Sequence, residues 1–153
     1  MPLKILHLLS QRPDSTGSGF YLQEIISAAH RKGHDNYLIA AVNNDHTPEL
    51  PGIDRNQCLF IDFLPKTGNH PEIVGMSDIM PYPSRRFRDM SDDDIKNYLD
   101  TFRSALLEMT KGIRFDLIHS HHLWLLSSFT RRLFPELPMV TSCHGSDLRQ
   151  LKQ

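Results

Sequence analysis

The segment from Thr141 to Asp147 holds the densest group of side chains that could do chemistry. It begins in a short apolar run, so we expect a strand that delivers His144 to the edge of a sheet. Gly145 would let a ligand approach the backbone closely, and Ser146 or Asp147 could cap a following helix. An imidazole can hydrogen-bond a hydroxyl or accept its proton near neutral pH, which makes His144 a candidate for polar or acid–base chemistry.

A second cluster of histidines consists of His119, His121 and His122. In an extended strand His119 and His121 share one face, because side chains alternate with a period of two. Together with His144 they could supply imidazoles to zinc, but no carboxylate lies within the run. Histidines at a strand end can also simply hydrogen-bond loop carbonyls. Polar recognition is therefore favoured over a metal site.

Two glycines, Gly17 and Gly19, flank Ser18 just before a predicted helix. Backbone N–H groups at a helix N-terminus favour an anion such as a phosphate. The dinucleotide fingerprint G-x-G-x-x-G requires a third glycine where this chain has Leu22, so NAD and FAD are disfavoured. Alternatively, the glycines only allow the loop to turn.

Three arginines, Arg85, Arg86 and Arg88, lie in a segment from Pro65 to Met90 that has no usable periodicity. A loop of that length in a compact domain is usually functional or mobile. The arginines could meet an anion, although most such runs form a solvated face.

Composition narrows the classes of protein to consider. The 153 residues make one domain of ordinary size, and 17 basic against 18 acidic residues do not indicate a nucleic-acid binder. Cys58 and Cys143 lie far apart in sequence, which favours reduced thiols. There is neither a signal peptide nor an apolar run of about 20 residues, so we expect a cytoplasmic protein.

Strand and helix patterns alternate along the chain and predict an α/β fold with a doubly wound parallel sheet. In such sheets ligands bind outside the carboxyl ends of the strands. Three candidate clusters lie at such ends: 10–19, 119–122 and 144–147. The predicted strands cover residues 5–9, 37–42, 58–63, 115–119 and 139–143.

Four motifs follow one another along nearly the whole chain: Lys4–His7, Arg31–Asp35, Phe115–His121 (FDLIHSH) and Pro138–Leu148 (PMVTSCHGSDL). Their order and spacing resemble the N-terminal half of group 1 glycosyltransferases, a retaining family with the GT-B architecture. The resemblance implies a Rossmann-like N-terminal, acceptor-side domain over residues 1–153.

The resemblance also implies roles for particular residues. Gly17, Ser18 and Gly19 would lie by the diphosphate of a nucleotide-sugar donor, and His144 would contact the donor sugar and act in catalysis. On the acceptor side of the cleft the candidates are His119, His121 and Asp147. A separate hypothesis, which comes from the charge cluster and not from the resemblance, is that Arg85, Arg86 and Arg88 also lie on the acceptor side and recognise a phosphate on the acceptor. No metal or other cofactor is expected.

In the family a second Rossmann-like domain holds most of the nucleotide, and this C-terminal donor-nucleotide domain is absent from the chain. We therefore expect the 153-residue chain alone to be inactive. The complete enzyme would transfer a hexose, with retention, to a hydroxyl of a carbohydrate or lipid-linked acceptor in cell-surface glycan or glycolipid assembly. Peripheral association with the inner face of the membrane is left open.

Two alternatives from other classes remain open. One is a metal-dependent hydrolase that uses His119, His121 and His144. The other is a stand-alone, non-enzymatic binding module with a Rossmann-like sheet.

Overall fold

The computed structural model of the protein describes residues 1–43, 47–63 and 72–151. Within them a parallel sheet of five strands has the order β3-β2-β1-β6-β7, with helices on both faces. The predicted doubly wound, Rossmann-like α/β fold is confirmed. The strands of this sheet are β1 (Lys4–Leu9), β2 (Asp35–Val42), β3 (Cys58–Asp62), β6 (Leu117–His121) and β7 (Met139–Ser142).

The described residues also form four α-helices with recognisable ends: α1 (Gly17–Arg31), α2 (Asp92–Thr110), α3 (Leu125–Leu133) and α4 (Gly145–Gln150). Ser91 and Asp94 form a capping box at the start of α2, as the predicted helix start at Ser91 requires. Gly33 and Gly112, which follow α1 and α2, have φ values of +80° and +85°, in the left-handed region that glycine favours.

The segment between β3 and α2 contains a second, two-stranded parallel ladder formed by β4 (Val74–Gly75) and β5 (Arg85–Arg86). Short 3₁₀ turns lie at Arg55–Gln57 and Phe87–Asp89. Val74 and Met76 are buried, so the described part of the predicted 65–90 loop packs against the domain. Residues 65–71 lie outside the described ranges.

Strand β6 begins two residues later than predicted, at Leu117 instead of Phe115. Phe115 is buried and packs edge-on against Tyr37, while the Asp116 carboxylate accepts a hydrogen bond from the Lys4 N–H at 2.9 Å. Pairing with β1 then starts at Leu117 opposite Ile5. The shift places His119 inside the sheet and His121 at its carboxyl edge.

The two faces of the sheet have different cores. Helices α2 and α3 cover a large apolar cluster centred on Tyr98, Phe102 and Leu106. On the other face α1 covers a smaller cluster that includes Leu22 and Ile26. His7 and His119 are also buried on the α1 face, where polar groups need partners.

No helix in the described ranges combines the length and apolar character that crossing a bilayer requires.

The loop between β1 and α1 folds back against the first turn of α1. A Cβ atom added to Gly19 would lie 2.6 Å from the Pro13 carbonyl oxygen, a distance that requires the backbone to move. A Cβ added to Gly17 would meet nothing within 4 Å. Gly19 is thus required for close packing, whereas Gly17 is not.

Gly19→Ala is therefore expected to lower the free energy of unfolding by about 1–3 kcal/mol, through overpacking against Pro13. Gly17→Ala is the matched control and should leave it unchanged or raise it by up to about 1 kcal/mol. Urea unfolding measures both. Equal stability of the two variants would contradict the packing role of Gly19.

Candidate functional site

A cleft of about 470 Å³, here called the carboxyl-edge cleft, opens at the carboxyl ends of β1, β6 and β7. Four parts of the chain form it: the β1–α1 loop with the start of α1, the stretch after β4, the loop after β6, and the start of α4. Its lining residues are Gln11, Ser15, Thr16, Gly17, Ser18, Met76, Ser77, Ile79, Met80, Pro81, His122, His144, Gly145, Ser146 and Arg149.

The α1 side of the cleft presents backbone donors. The Thr16 hydroxyl accepts the Gly19 N–H at 3.1 Å, and the Thr16 carbonyl accepts the Phe20 N–H at 2.9 Å. The N–H groups of Gly17 and Ser18 precede these bonds, so they are the ones left for a ligand. Of the three predicted phosphate-binding residues, Gly17 and Ser18 line the cleft, while Gly19 packs beneath it.

A buried arginine that sequence analysis missed holds this loop in place. Arg12 is 5% exposed, and its guanidinium donates to both carboxylate oxygens of Asp14, at 3.0 and 2.6 Å. It also donates to Asn43 at 3.2 Å. Burial raises the pKa of Asp14, but the hydrogen bonds from Arg12 and Ser15 outweigh it and hold that pKa below its ordinary value.

Beneath the cleft a line of polar side chains crosses the sheet from β2 to β7. The Asn36 amide nitrogen donates to two backbone carbonyls at 3.2 Å, which turns its oxygen toward His7 Nε2 at 3.0 Å. His7 therefore carries its proton on Nε2 and accepts on Nδ1 from His119 Nδ1, 3.2 Å away. His119 Nε2 then accepts from the Ser142 hydroxyl at 2.8 Å.

The contact between the two imidazoles requires a neutral His7, because a second proton on its Nδ1 would face the proton on His119 Nδ1. Burial lowers the pKa of His7 to about 4, and it lowers the pKa of His119 as well. Burial, reinforced by the neighbouring histidines, lowers the pKa of His121 to about 2. The sheet face under the cleft is therefore uncharged at neutral pH.

His144 lies at the end of this polar row and forms part of the cleft wall. Its Nε2 is 3.2 Å from His121 Nδ1, and the Tyr21 ring packs edge-on against both imidazoles. Burial lowers the pKa of His144, although nearby Asp147 opposes the shift. The ring is therefore neutral near pH 7 and oriented by its neighbours.

Asp147 is buried behind the cleft and joins the two loops that carry the histidines. Its Oδ1 is 2.7 Å from His122 Nδ1, and its Oδ2 accepts the N–H groups of His144 at 2.8 Å and Leu123 at 3.3 Å. The cap of α4 is His144, not the predicted Ser146 or Asp147, because α4 begins at Gly145. Asp147 is the third residue of α4, and its carboxylate accepts the His144 N–H as part of a capping box.

The predicted acceptor-side residues fall into two groups: those behind the cleft wall and the arginines of the β5 region. His121 contacts His144, and Asp147 contacts His122 and the His144 N–H. His119 contacts His7 and Ser142, and none of these three residues lines the cleft. Their contact with an acceptor stays a prediction.

The arginines of the β5 region lie outside the cleft lining and pair with aspartates. Arg85 is 3.1 Å from Asp94, and Arg86 is 2.6 Å from Asp89. Arg88 is 3.1 Å from Asp78. Pairs this exposed contribute little to stability, because water and salt screen the attraction between the charges. Recognition of an acceptor phosphate by these arginines stays a prediction.

The cation in the cleft wall is Arg149, which sequence analysis did not single out. The sequence signal for Arg149 is its spacing: it follows Gly145 by four residues, and residues four apart share one face of a helix. Arg149 adds positive charge to the cleft that Gly17 and Ser18 also line.

The alternative of a metal-dependent hydrolase requires the side chains of His119, His121 and His144 to converge on one point. Among the residues described here, no three histidine, cysteine, aspartate or glutamate side chains are arranged to hold a metal ion. His121 pairs with His144, whereas His119 turns to His7 and Ser142.

Residues 15–153 match the family model described as Glycosyltransferase Family 4. The matched range contains α1, β6, β7 and α4, and thus every lining residue of the cleft except Gln11. No curated protein matches the chain.

Stability is expected to fall as the pH decreases from 6.5 toward 4. The pKa of His7 is lowered in the folded state, so its contribution is complete above pH 6.5 and is lost on the way to about pH 4. For His7 alone the loss is about 3 kcal/mol. The pKa values of Asp14, Asp89 and Asp94 lie below 3.8, so these carboxylates lose their contribution only at lower pH.

Urea unfolding at several pH values between 7 and 4.5 measures this loss. His30 is exposed on α1, so His30→Gln is the control and should follow the wild-type profile. Constant stability across this range would contradict the buried neutral network.

Proposed function

The chain belongs to glycosyltransferase family 4, a family of N-terminal domains of GT-B glycosyltransferases, and we propose that it forms the acceptor-side domain of an enzyme that transfers a hexose from a nucleotide sugar to a hydroxyl group. The observation that carries the proposal is the carboxyl-edge cleft, which combines the free amides of α1, a cation and a neutral imidazole.

The donor diphosphate is assigned to the α1 side of the cleft. The N–H groups of Gly17 and Ser18 favour an anion there, and the positive end of the helix dipole adds to the attraction. Arg149, in the same cleft, supplies a full positive charge. These groups would stabilise the negative charge that grows on the diphosphate as the bond to the sugar breaks.

His144 is assigned to the donor sugar, near the reacting carbon. A neutral imidazole can hydrogen-bond a sugar hydroxyl without competing with the cationic groups for the phosphate. In the transfer, the acceptor oxygen bonds to the anomeric carbon while the bond to the diphosphate oxygen breaks. The bonding pair and the acceptor's proton leave with the diphosphate, and the anomeric configuration is retained.

The partner of this domain is proposed to be a donor-nucleotide domain in the same polypeptide. The acceptor is proposed to be a carbohydrate or a lipid-linked saccharide in cell-surface glycan or glycolipid assembly, and the location the cytoplasm, with the inner membrane face as one site of action. On this proposal the 153-residue chain alone transfers no sugar. Transfer by the purified chain would contradict the need for a second domain.

His144→Ala in the complete enzyme is expected to lower kcat by about 100-fold, because the oriented contact to the donor sugar is lost. Initial rates at saturating donor and acceptor measure the effect. The control is His30→Ala on the exposed face of α1, which should leave kcat unchanged. An unchanged kcat for the His144 variant would remove this residue from catalysis.

Arg149→Gln is expected to raise the KM for the nucleotide sugar by about tenfold, since a charge-assisted contact to the diphosphate is lost. Arg103 is exposed on α2 and outside the cleft lining, so Arg103→Gln is the matched control for loss of one positive charge. Equal effects of the two substitutions would show that only net charge matters.

A further inference from the structure

His122 has the most constrained environment in the cleft wall. Its φ of +69° is the only positive value at a non-glycine position in the described ranges, and it belongs to a sparsely populated region of backbone space. The His122 N–H donates to the Ser142 carbonyl at 2.9 Å, and the side chain is 3% exposed. Such a conformation persists only where the surroundings fix it, and it is frequent at functional sites.

The carboxylate of Asp147 determines which ring nitrogen of His122 carries the proton. A carboxylate only accepts hydrogen bonds, so the 2.7 Å contact to its Oδ1 places the proton on His122 Nδ1. Burial lowers the pKa of His122, although the bond to Asp147 opposes the shift. The ring is therefore neutral at pH 7, and Nε2 has a free lone pair.

That lone pair has no partner among the described residues. His122 and Met76 border both the carboxyl-edge cleft and a small hollow behind it, in which no water molecule fits. A donor supplied by a ligand would therefore approach Nε2 from the cleft side. Met76 is the flexible side chain at this boundary, and a thioether can change rotamer at little cost.

Building on the proposed function, we propose that His122 is the hydroxyl-recognition residue of the cleft: its Nε2 accepts a hydrogen bond from a hydroxyl group of the bound sugar as Met76 moves aside. Asp147 is the positioning residue that holds His122 in the accepting tautomer. An unsatisfied buried acceptor weakens binding of any ligand that lacks a donor there.

The inference also orients the ligand in the cleft. A phosphate oxygen at neutral pH has no proton to donate, so it cannot pair with the His122 lone pair. The amides of Gly17 and Ser18 and the Arg149 guanidinium are all donors, which suit the diphosphate instead. The cleft thus offers donors that suit an anion and one acceptor that suits a hydroxyl.

The tautomer can be tested without any ligand, by ¹⁵N NMR of the 153-residue chain labelled at histidine. We expect His122 at pH 7 to be protonated on Nδ1 and unprotonated on Nε2. Asp147→Asn should move the proton to Nε2, because the amide NH₂ then faces the ring. A wild-type His122 that carries its proton on Nε2, or on both nitrogens, would overturn the inference.

Binding is tested by titrating the same chain with UDP-glucose and GDP-mannose, and with UDP and GDP as references. His122→Asn keeps an N–H donor toward Asp147 but has no counterpart of Nε2. It is expected to weaken binding of the nucleotide sugars by about five- to tenfold and to leave UDP and GDP unchanged.

The outcomes separate this inference from the proposed function. Equal losses for nucleotide sugars and nucleotides, or no loss for either, would overturn the role of His122. Failure of all four compounds to bind the wild-type chain would contradict the assignment of the donor to this cleft, and with it the inference.

Discussion

One buried carboxylate, Asp147, holds the candidate site together. It is 1% exposed and accepts three N–H donors that come from two different loops. Through them it connects the loop after β6 to the start of α4, and it orients His122 while fixing the backbone of His144. A buried carboxylate is tolerated only when such donors satisfy it, so the position of each loop depends on the other.

The buried histidines beneath the cleft are neutral, and this allows their imidazole rings to pack side by side. A row of imidazoles under a ligand site would repel one another if charged, and burial prevents that by favouring the uncharged form. The row begins at Asn36, whose amide orientation is fixed by backbone carbonyls, and the direction of each hydrogen bond follows from there. The positive potential of the cleft therefore comes from the Arg149 guanidinium and from the backbone amides at the start of α1, which together favour an anion.

The sequence predicts the fold well because strand and helix periods alternate clearly, and the parallel sheet follows from that alternation. It does not predict that Phe115 packs into the core, which moves β6 along by two residues. Nor does it predict which imidazoles pair, since that depends on strand register and side-chain burial. For the same reason, the ion pairs of the arginines and the packing of Gly19 under Pro13 emerge only from the structure.

The central claim is that a nucleotide sugar binds in the carboxyl-edge cleft, and chemical-shift mapping of the ¹⁵N-labelled chain with UDP-glucose and GDP-mannose tests it most directly. We expect the largest shifts at the backbone amides of Gly17 and Ser18 and at the ring nitrogens of His144. A second hollow of about 480 Å³ lies between Thr47 and Cys58, beside the β3 edge of the sheet. Shifts concentrated there, with no shifts at the cleft residues, would show that the nucleotide sugar does not bind in the carboxyl-edge cleft.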